Sequence, residues 1–268
     1  MKEPKIGFIG VGNIASAIIG GVTHSGYIKH DNVFVYDTNS DKTQSIAYTG
    51  VNVCENAVSL VRTCDYIFLT IKPQIYEIVL KEIARSVSSG KCLVDVGAGI
   101  SIEYVKSVIG KDCKVIRAMP NTPLLYGEGA TALVKQVPVS DKEFDFIKGA
   151  FDSCGKTFIV NECDMDAVTA VSGSSPAFVF RFAANLIKSA VDAGMDPSVA
   201  KELVATAIKG SAIMAAQSPL GLNELIKMVA SPNGTTEAGL NSMNESGFDN
   251  SVYLAAEAAR KRSIELKK

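Results

Sequence analysis

Histidine is nearly missing from this chain: its 268 residues include only His24 and His30, and the six cysteines (Cys54, Cys64, Cys92, Cys113, Cys154, Cys163) never fall in C-x-x-C spacing. A metal site, a disulfide framework and a histidine-activated nucleophile therefore lack their raw material. The six thiols are expected to be free and buried in a reducing compartment. Charge of one sign is missing as well. The 27 basic and 28 acidic side chains nearly cancel, with no basic block or acidic tail, so neither nucleic acid nor an anionic membrane is an expected partner. No apolar run approaches a membrane span, and the opening Met1-Lys2-Glu3-Pro4-Lys5-Ile6-Gly7 is too short and glycine-broken for a signal-peptide apolar region. A soluble, cytoplasmic protein is the expectation.

What is present divides in two. Up to about Val160, short β-branched runs alternate with helical stretches, the mark of crossover units and a doubly wound, mostly parallel sheet. Strands are expected at 5–9, 33–36, 66–71, 92–95, 114–117, 131–134 and 157–160. Helices are expected at 13–25, 41–48, 57–63, 75–86, 101–109 and 141–153. Beyond Asn161 the chain turns alanine-rich, with helical spacing and no strand candidate. Pro176 is expected to open one helix and Gly194 to close it, Asp196-Pro197 to start the next, and Ser218-Pro219 to break it. The expected domains are thus 1–161 (α/β) and 162–268 (all-α). Several of the later segments carry apolar residues around most of their circumference, for example Leu203, Val204, Ala207, Ile208 and Ile213. So small a domain cannot bury them all, and an obligate subunit interface follows.

Gly10-Val11-Gly12-Asn13-Ile14-Ala15 follows the first strand and opens a helix, the context that gives G-x-G-x-x-G/A its meaning. Gly10 allows the tight turn, Gly12 lets backbone approach a pyrophosphate, Ala15 permits close helix–strand packing, and the helix start faces the diphosphate. This is a dinucleotide site. Asp37 ends the second strand, where a carboxylate can accept the adenosine ribose hydroxyls and favours NAD. Asn39, Ser40 and Lys42 follow and can contact a 2′-phosphate if Asp37 turns away, so NADH and NADPH both stay open. Three more stretches stand at carboxyl ends of strands, where such a sheet holds its ligand: Thr70-Ile71-Lys72-Pro73-Gln74, Gly97-Ala98-Gly99-Ile100 and Arg117-Ala118-Met119-Pro120-Asn121-Thr122-Pro123. By spacing, Asn56 is an N-cap. Finally, Ala230-Ser231-Pro232-Asn233-Gly234-Thr235-Thr236-Glu237-Ala238-Gly239 is a turn of small residues that opens into a helix. It reads either as a capped helix start, with Asn233, Thr235 and Thr236 as caps, or as an anion site.

Four stretches, Phe8–Ala15, Ile71–Gln74, Arg117–Pro123 and Asp166–Ala177, resemble the pyrroline-5-carboxylate reductase family, and the 230–239 stretch resembles its signature. The resemblance runs from residue 6 to about residue 245. It implies NAD(P)H-dependent reduction of 1-pyrroline-5-carboxylate to L-proline, the last step of proline synthesis. It also implies a Rossmann domain followed by a helical dimerisation domain, with dimers assembling into larger rings as a pentamer of dimers. Asn56, Ile71, Lys72, Pro73, Ala98 and Gly99 fall on family positions that line the cofactor, and Asn121 on one near the nicotinamide. Ser174, Gly234, Thr235 and Thr236 fall on positions around the substrate. The chain departs from the family pattern at Ser175, usually glycine, at Phe178, usually tyrosine, and at Leu222, usually proline.

Reducing a cyclic imine needs one hydride and one proton but no strong base, which suits a chain with almost no histidine. The amides of Gly234, Thr235 and Thr236 are expected to hold the carboxylate, with the Thr236 hydroxyl at the ring nitrogen as donor, proton relay or orienting group. Ser174 is either a substrate contact or the N-cap of the helix begun by Pro176. Glu162 reads as a solvated boundary residue. Two rivals share the plan. A 3-hydroxyacid dehydrogenase needs a lysine base with an asparagine one turn later, which Lys188 and Lys201 lack. A non-catalytic dinucleotide sensor would not need Asn121, Gly234, Thr235 and Thr236 intact.

Overall fold

A computed structural model describes residues 3–268. Two compact units make up the chain: residues to Ser174 together with Ala259–Lys268, and Ser175–Ala258.

The first unit runs β1 (Ile6–Ile9), α1 (Asn13–His24), β2 (Val33–Tyr36), α2 (Ser40–Ala47), β3 (Asn52–Val53), α3 (Ala57–Thr63), β4 (Tyr66–Leu69), α4 (Tyr76–Ile83), β5 (Cys92–Asp95), α5 (Ile102–Ile109), β6 (Lys114–Met119), β7 (Gly129–Lys135), α6 (Asp141–Asp152), β8 (Gly155–Ile159) and α7 (Met165–Val168). The strands form one sheet of order β3-β2-β1-β4-β5-β6-β7-β8. All neighbours are parallel except β6 and β7, whose short connection allows only an antiparallel return. Strand order reverses direction between β1 and β4, which makes the carboxyl end of β1 the switch point where such sheets open a crevice.

Side chains alternate along each strand, so the sheet feeds two cores. Ile6, Phe8, Val33, Val35 and Phe68 pack with α1 and α6, while Ile9, Ile67, Leu69 and Leu93 pack with α3, α4 and α5. Phe8 and Phe68 stack at 4.6 Å between centroids. Each such fully buried side chain contributes roughly 1.5–3 kcal/mol, which makes the strand ends a rigid platform for the loops above them. All six cysteines are free thiols. Cys64, Cys92, Cys113 and Cys154 are buried as expected, but Cys54 is half-buried and Cys163 exposed.

After α7 a π-helical stretch, Thr169–Ser174, leads without a break into α8 (Ser175–Asp192). Pro176 therefore sits within a continuous helical run rather than opening a free helix, and Ser174 is not an N-cap. Proline cannot return an N–H to the carbonyl four residues back, and widening the turn ahead of it accommodates that loss. The second unit continues with α9 (Pro197–Gln217), α10 (Leu222–Val229), α11 (Thr235–Glu245) and most of α12 (Phe248–Glu265). Asp196 caps α9 by accepting the amides of Ser198 and Val199, and Gly194 takes a φ of +92° before it. Among the residues of this unit only Ala200 is buried. Val179, Phe182, Leu186, Leu203, Val204 and Ile208 line an open apolar groove of about 650 Å³ on α8 and α9.

The end of α12 belongs to the first unit. Ser263 Oγ donates to Asp166 at 2.8 Å. The tail then runs beside the loop after β5: the Lys268 amide donates to the Gly99 carbonyl at 2.8 Å, and Ser101 Oγ donates to the Lys268 carbonyl at 2.7 Å.

Candidate active site

Gly10 turns at φ +97°, and a Cβ there would lie 2.6 Å from the Thr70 carbonyl oxygen and 2.8 Å from Ile71 Cγ2. Only glycine fits. Gly12 is different: a Cβ built on it meets no protein atom within 4 Å. It is the N-cap of α1, with φ −112° and no side chain capping the helix. Open space thus faces an uncapped helix start, while Ala15 is fully buried against the sheet. An anionic diphosphate fits this cradle, because the orphan amides and the helix dipole both favour negative charge. Val11 and Ile14 pack into the core beneath, and Asn13 is exposed beside the opening.

Asp37 braces this loop. Its Oδ2 accepts the Val11 amide at 2.8 Å, its Oδ1 accepts the Asn39 amide at 2.9 Å, and Lys42 Nζ stands 3.5 Å away. Asn39 in turn caps α2 through Asp41. From the other side Thr70 Oγ1 donates to the Gly10 carbonyl at 2.7 Å. Lys72 is exposed just beyond, and Pro73 follows it into a short 3-10 turn. Asn56 is the N-cap of α3, accepting the Ser59 amide at 2.8 Å, as its spacing predicts.

The Gly97–Ile100 loop is held from below and above. Gly97 donates to Asp95 Oδ1 at 2.8 Å, and Gly99, at φ +75°, lies so near the tail that a Cβ would come within 2.9 Å of the Leu266 carbonyl oxygen. Ala98 between them stays half-buried. Asn121 links two further stretches: its Oδ1 accepts the Ala130 amide at 2.9 Å, and its Nδ2 donates to the Ser172 carbonyl at 3.3 Å. The Ser172-Gly173-Ser174 turn and the Met119–Asn121 loop are thereby neighbours, with a Cβ on Gly173 lying 3.0 Å from Met119 Cε.

Four residues of this region escape sequence reasoning. Asp95 and Arg117 are cross-strand partners on β5 and β6, both buried. Arg117 Nη1 donates to Glu162 Oε1 at 2.7 Å, so Glu162 is an ion-pair partner of a buried guanidinium and not a solvated boundary residue. Tyr76 Oη lies 2.6 Å from Asp95 Oδ1. Burial, the largest influence, pushes the Asp95 carboxyl up to about 7 against the opposing pull of Tyr76, the Gly97 amide and Arg117. The one available signal was a charged residue flanked by apolar ones in each of two strands, Asp95 in β5 and Arg117 in β6.

In the second unit, the N-cap of α11 is Gly234, at φ −88° and ψ 170°, with no side-chain cap. Thr235 and Thr236 are the first helical residues rather than caps, and Asn233, at φ +57°, forms the turn before them. Glu237 reaches back to the Asn233 amide at 2.7 Å, and a Cβ on Gly234 would lie 2.5 Å from Ser231 Oγ. The capped-start reading thus gives way to a helix start whose first amides have no side-chain partner.

The family pattern described as pyrroline-5-carboxylate reductase dimerisation matches residues 162–266, and the one described as NADP oxidoreductase coenzyme F420-dependent matches residues 5–99. The Escherichia coli (strain K12) pyrroline-5-carboxylate reductase is 35% identical over 267 residues, covering 99% of each chain. The Methanosarcina acetivorans pyrroline-5-carboxylate reductase is 32% identical, covering 100% of each. A crystal structure of the Plasmodium falciparum pyrroline carboxylate reductase with NADP bound superposes with a TM-score of 0.93 at 33% identity, covering 100% of each chain. With a likeness of that extent over the whole length, joined to a glycine loop and a 230–239 turn built as described, the chain belongs to the pyrroline-5-carboxylate reductase family.

Proposed function

We propose that this protein reduces 1-pyrroline-5-carboxylate to L-proline with NAD(P)H, the last step of proline synthesis, in the cytoplasm. Whole-length likeness to reductases of that name supports the reaction, and the open cradle over Gly12 is the observation that carries the cofactor half of it. Bound in that cradle, NAD(P)H supplies the hydride that the imine carbon accepts. The protein's own share is to hold, orient and supply a proton. The amides of Gly234, Thr235 and Thr236 hold the substrate carboxylate, and the Thr236 hydroxyl stands at the ring nitrogen as it becomes an amine. Ser174 contacts the substrate from the turn that Asn121 braces. Gly10–Ala15, Asn56, Thr70, Ile71, Lys72, Pro73, Ala98, Gly99 and Asn121 form the cofactor walls.

NADPH is the preferred donor on this reading. Asp37 is held against the glycine loop by the Val11 and Asn39 amides, and Ser40 with Lys42, whose Nζ stands 3.5 Å from Asp37, brings a hydroxyl and a positive charge to the start of α2 for a 2′-phosphate. The functional division is placed at 161/162, where the dimerisation pattern begins, although the compact units part after Ser174 and the first takes back Ala259–Lys268, and dimers formed through the helical domain assemble as a pentamer of dimers.

Steady-state kinetics of Thr236→Ala and Thr236→Val test the site. Losing a hydrogen bond to a charged group costs roughly 1.5–3 kcal/mol, so kcat/KM for the pyrroline falls about ten- to a hundredfold. Wild-type values in both variants would remove Thr236 from the mechanism. The wild-type ratio of kcat/KM for NADPH and NADH tests the donor, and Lys42→Ala is expected to lower that ratio.

A further inference from the structure

Two short contacts compete for one proton beneath the expected cofactor walls. Tyr76 Oη lies 2.6 Å from Asp95 Oδ1 and 2.7 Å from the Leu69 carbonyl oxygen. A phenol has one proton to give, and an ionised carboxylate and a carbonyl are both acceptors. With Asp95 ionised, one of these contacts would bring two oxygens together with no hydrogen between them. No water can come between oxygens this close, and Tyr76 and Asp95 are each fully buried. A proton on Asp95 resolves the conflict: the carboxyl donates to Tyr76 Oη and Tyr76 donates to Leu69, while Oδ1 still accepts the Gly97 amide.

The charge count agrees. Arg117 faces the buried Asp95 and pairs with the half-buried Glu162, and the atoms Asp95 Oδ2 and Glu162 Oε2 are buried with no hydrogen-bond partner. One cation and two carboxyls are neutral only if one proton is held, and an uncompensated buried charge is costly.

We infer that Asp95 works as a neutral carboxylic acid, a positioning residue whose proton completes an Asp95–Tyr76–Leu69 hydrogen-bond chain tying together the carboxyl ends of β4 and β5. Leu69 and Asp95 are register partners, so the chain locks two adjacent strand ends. The loops that leave those ends are Thr70–Pro73 and Val96–Gly99, and the consequence for cofactor rests on the reading above that they line its site. Losing the proton breaks one link and adds negative charge beneath an anionic ligand, so affinity falls as pH rises. The groups facing Asp95 are Tyr76 from α4, Arg117 from β6 and Glu162 from the turn after β8, and their balance with burial puts the titration near neutrality.

Infrared spectroscopy of the full chain reads the proton directly. A protonated-carboxyl stretch is expected in the wild type at about pH 6, fading by about pH 8.5, and missing in Asp95→Asn at both. NADPH titration by fluorescence reads the consequence. The wild-type Kd is expected to rise about tenfold over the same interval, as one lost link of roughly 1.4 kcal/mol gives. Asp95→Asn is expected to show no such pH dependence. Tyr76→Phe, which keeps the ring and leaves the charges alone, is expected to bind more weakly than the wild type at the lower pH, by less than the wild type loses over the interval. An unchanged band in Asp95→Asn, or parallel Kd curves in it and the wild type, would overturn the inference. If Gly12→Val bound NADPH normally, the cofactor reading would fail by itself, and the infrared band would still decide the state of Asp95.

Discussion

A side chain at residue 12 would project into open space, so Gly12→Val leaves the fold intact while filling the approach to the start of α1. The expected result is a wild-type melting curve with NAD(P)H binding abolished, read by fluorescence titration. Asp95 gives a second prediction, on stability. Its carboxyl is raised from the ordinary 3.8 to about 7, so the folded state holds a proton that the unfolded state has lost between those values. Stability linked to this group is fully present below about pH 4 and falls as pH rises to about 7. Asp95→Asn should therefore gain Tm relative to the wild type on going from about pH 5 to about pH 8, by several degrees in differential scanning calorimetry. A constant difference in Tm across that range would count against the raised carboxyl. Residues whose role is local were legible in the sequence, since the caps Asn56 and Asp196 act within a few positions of themselves. Asp95, Tyr76, Arg117 and Glu162 were not, because what joins them is strand order, and periodicity does not disclose which buried charge meets which.

Gly155 opens β8 at φ +149°, where a Cβ would lie 2.1 Å from the Gly129 carbonyl oxygen at the start of β7. Backbone meets backbone there, so neither neighbour can yield as a side chain would. Gly155→Ala is expected to cost at least about 2–3 kcal/mol and to lower the urea midpoint, with the damage focused on the β7–β8 edge in hydrogen exchange. The Gly10–Ala15 cradle hangs on β1, away from this edge, whereas Asn121 is braced by the Ala130 amide beside Gly129, so any loss of NADPH affinity in the folded fraction should come through Asn121. Elements with strong periodicity were readable: each expected strand and helix of the first unit is present, within a few residues at its ends. The two-residue β3 was missed because Asn52–Val53 is too short to show alternation. Pro176 misled for a physical reason. Proline normally marks a helix start, and a π-helical turn is the less common way to accommodate it.

The helical unit buries only Ala200 among its residues, while Phe180, Leu203, Ile213 and Met228 lie exposed on it. A fold of that kind gains little from the hydrophobic effect by itself, and the match of residues 162–266 to a dimerisation pattern names what covers it. Leu203→Glu and Val204→Glu place charge in the α8–α9 groove. Sedimentation velocity is expected to show monomers, with Tm lowered and no longer dependent on protein concentration. A dimer unchanged in both variants would place the interface elsewhere. The need for an interface was legible from the apolar circumference of these helices, whereas the return of the chain's end to the first unit was not, because nothing in Ala259–Lys268 announces which surface it will meet.

That return bears on how the protein is made. Translation delivers β1 to β8 early, and a Rossmann sheet can form while the rest is still on the ribosome. The loop after β5 cannot be finished then, since the partners of Gly99 and Ser101 lie at Lys268 and reach it only after the whole helical unit has been synthesised. A nascent chain stalled before residue 259 would carry a formed sheet with the Gly97–Ile100 loop unfastened, so this loop is the last part of the first unit to be fixed.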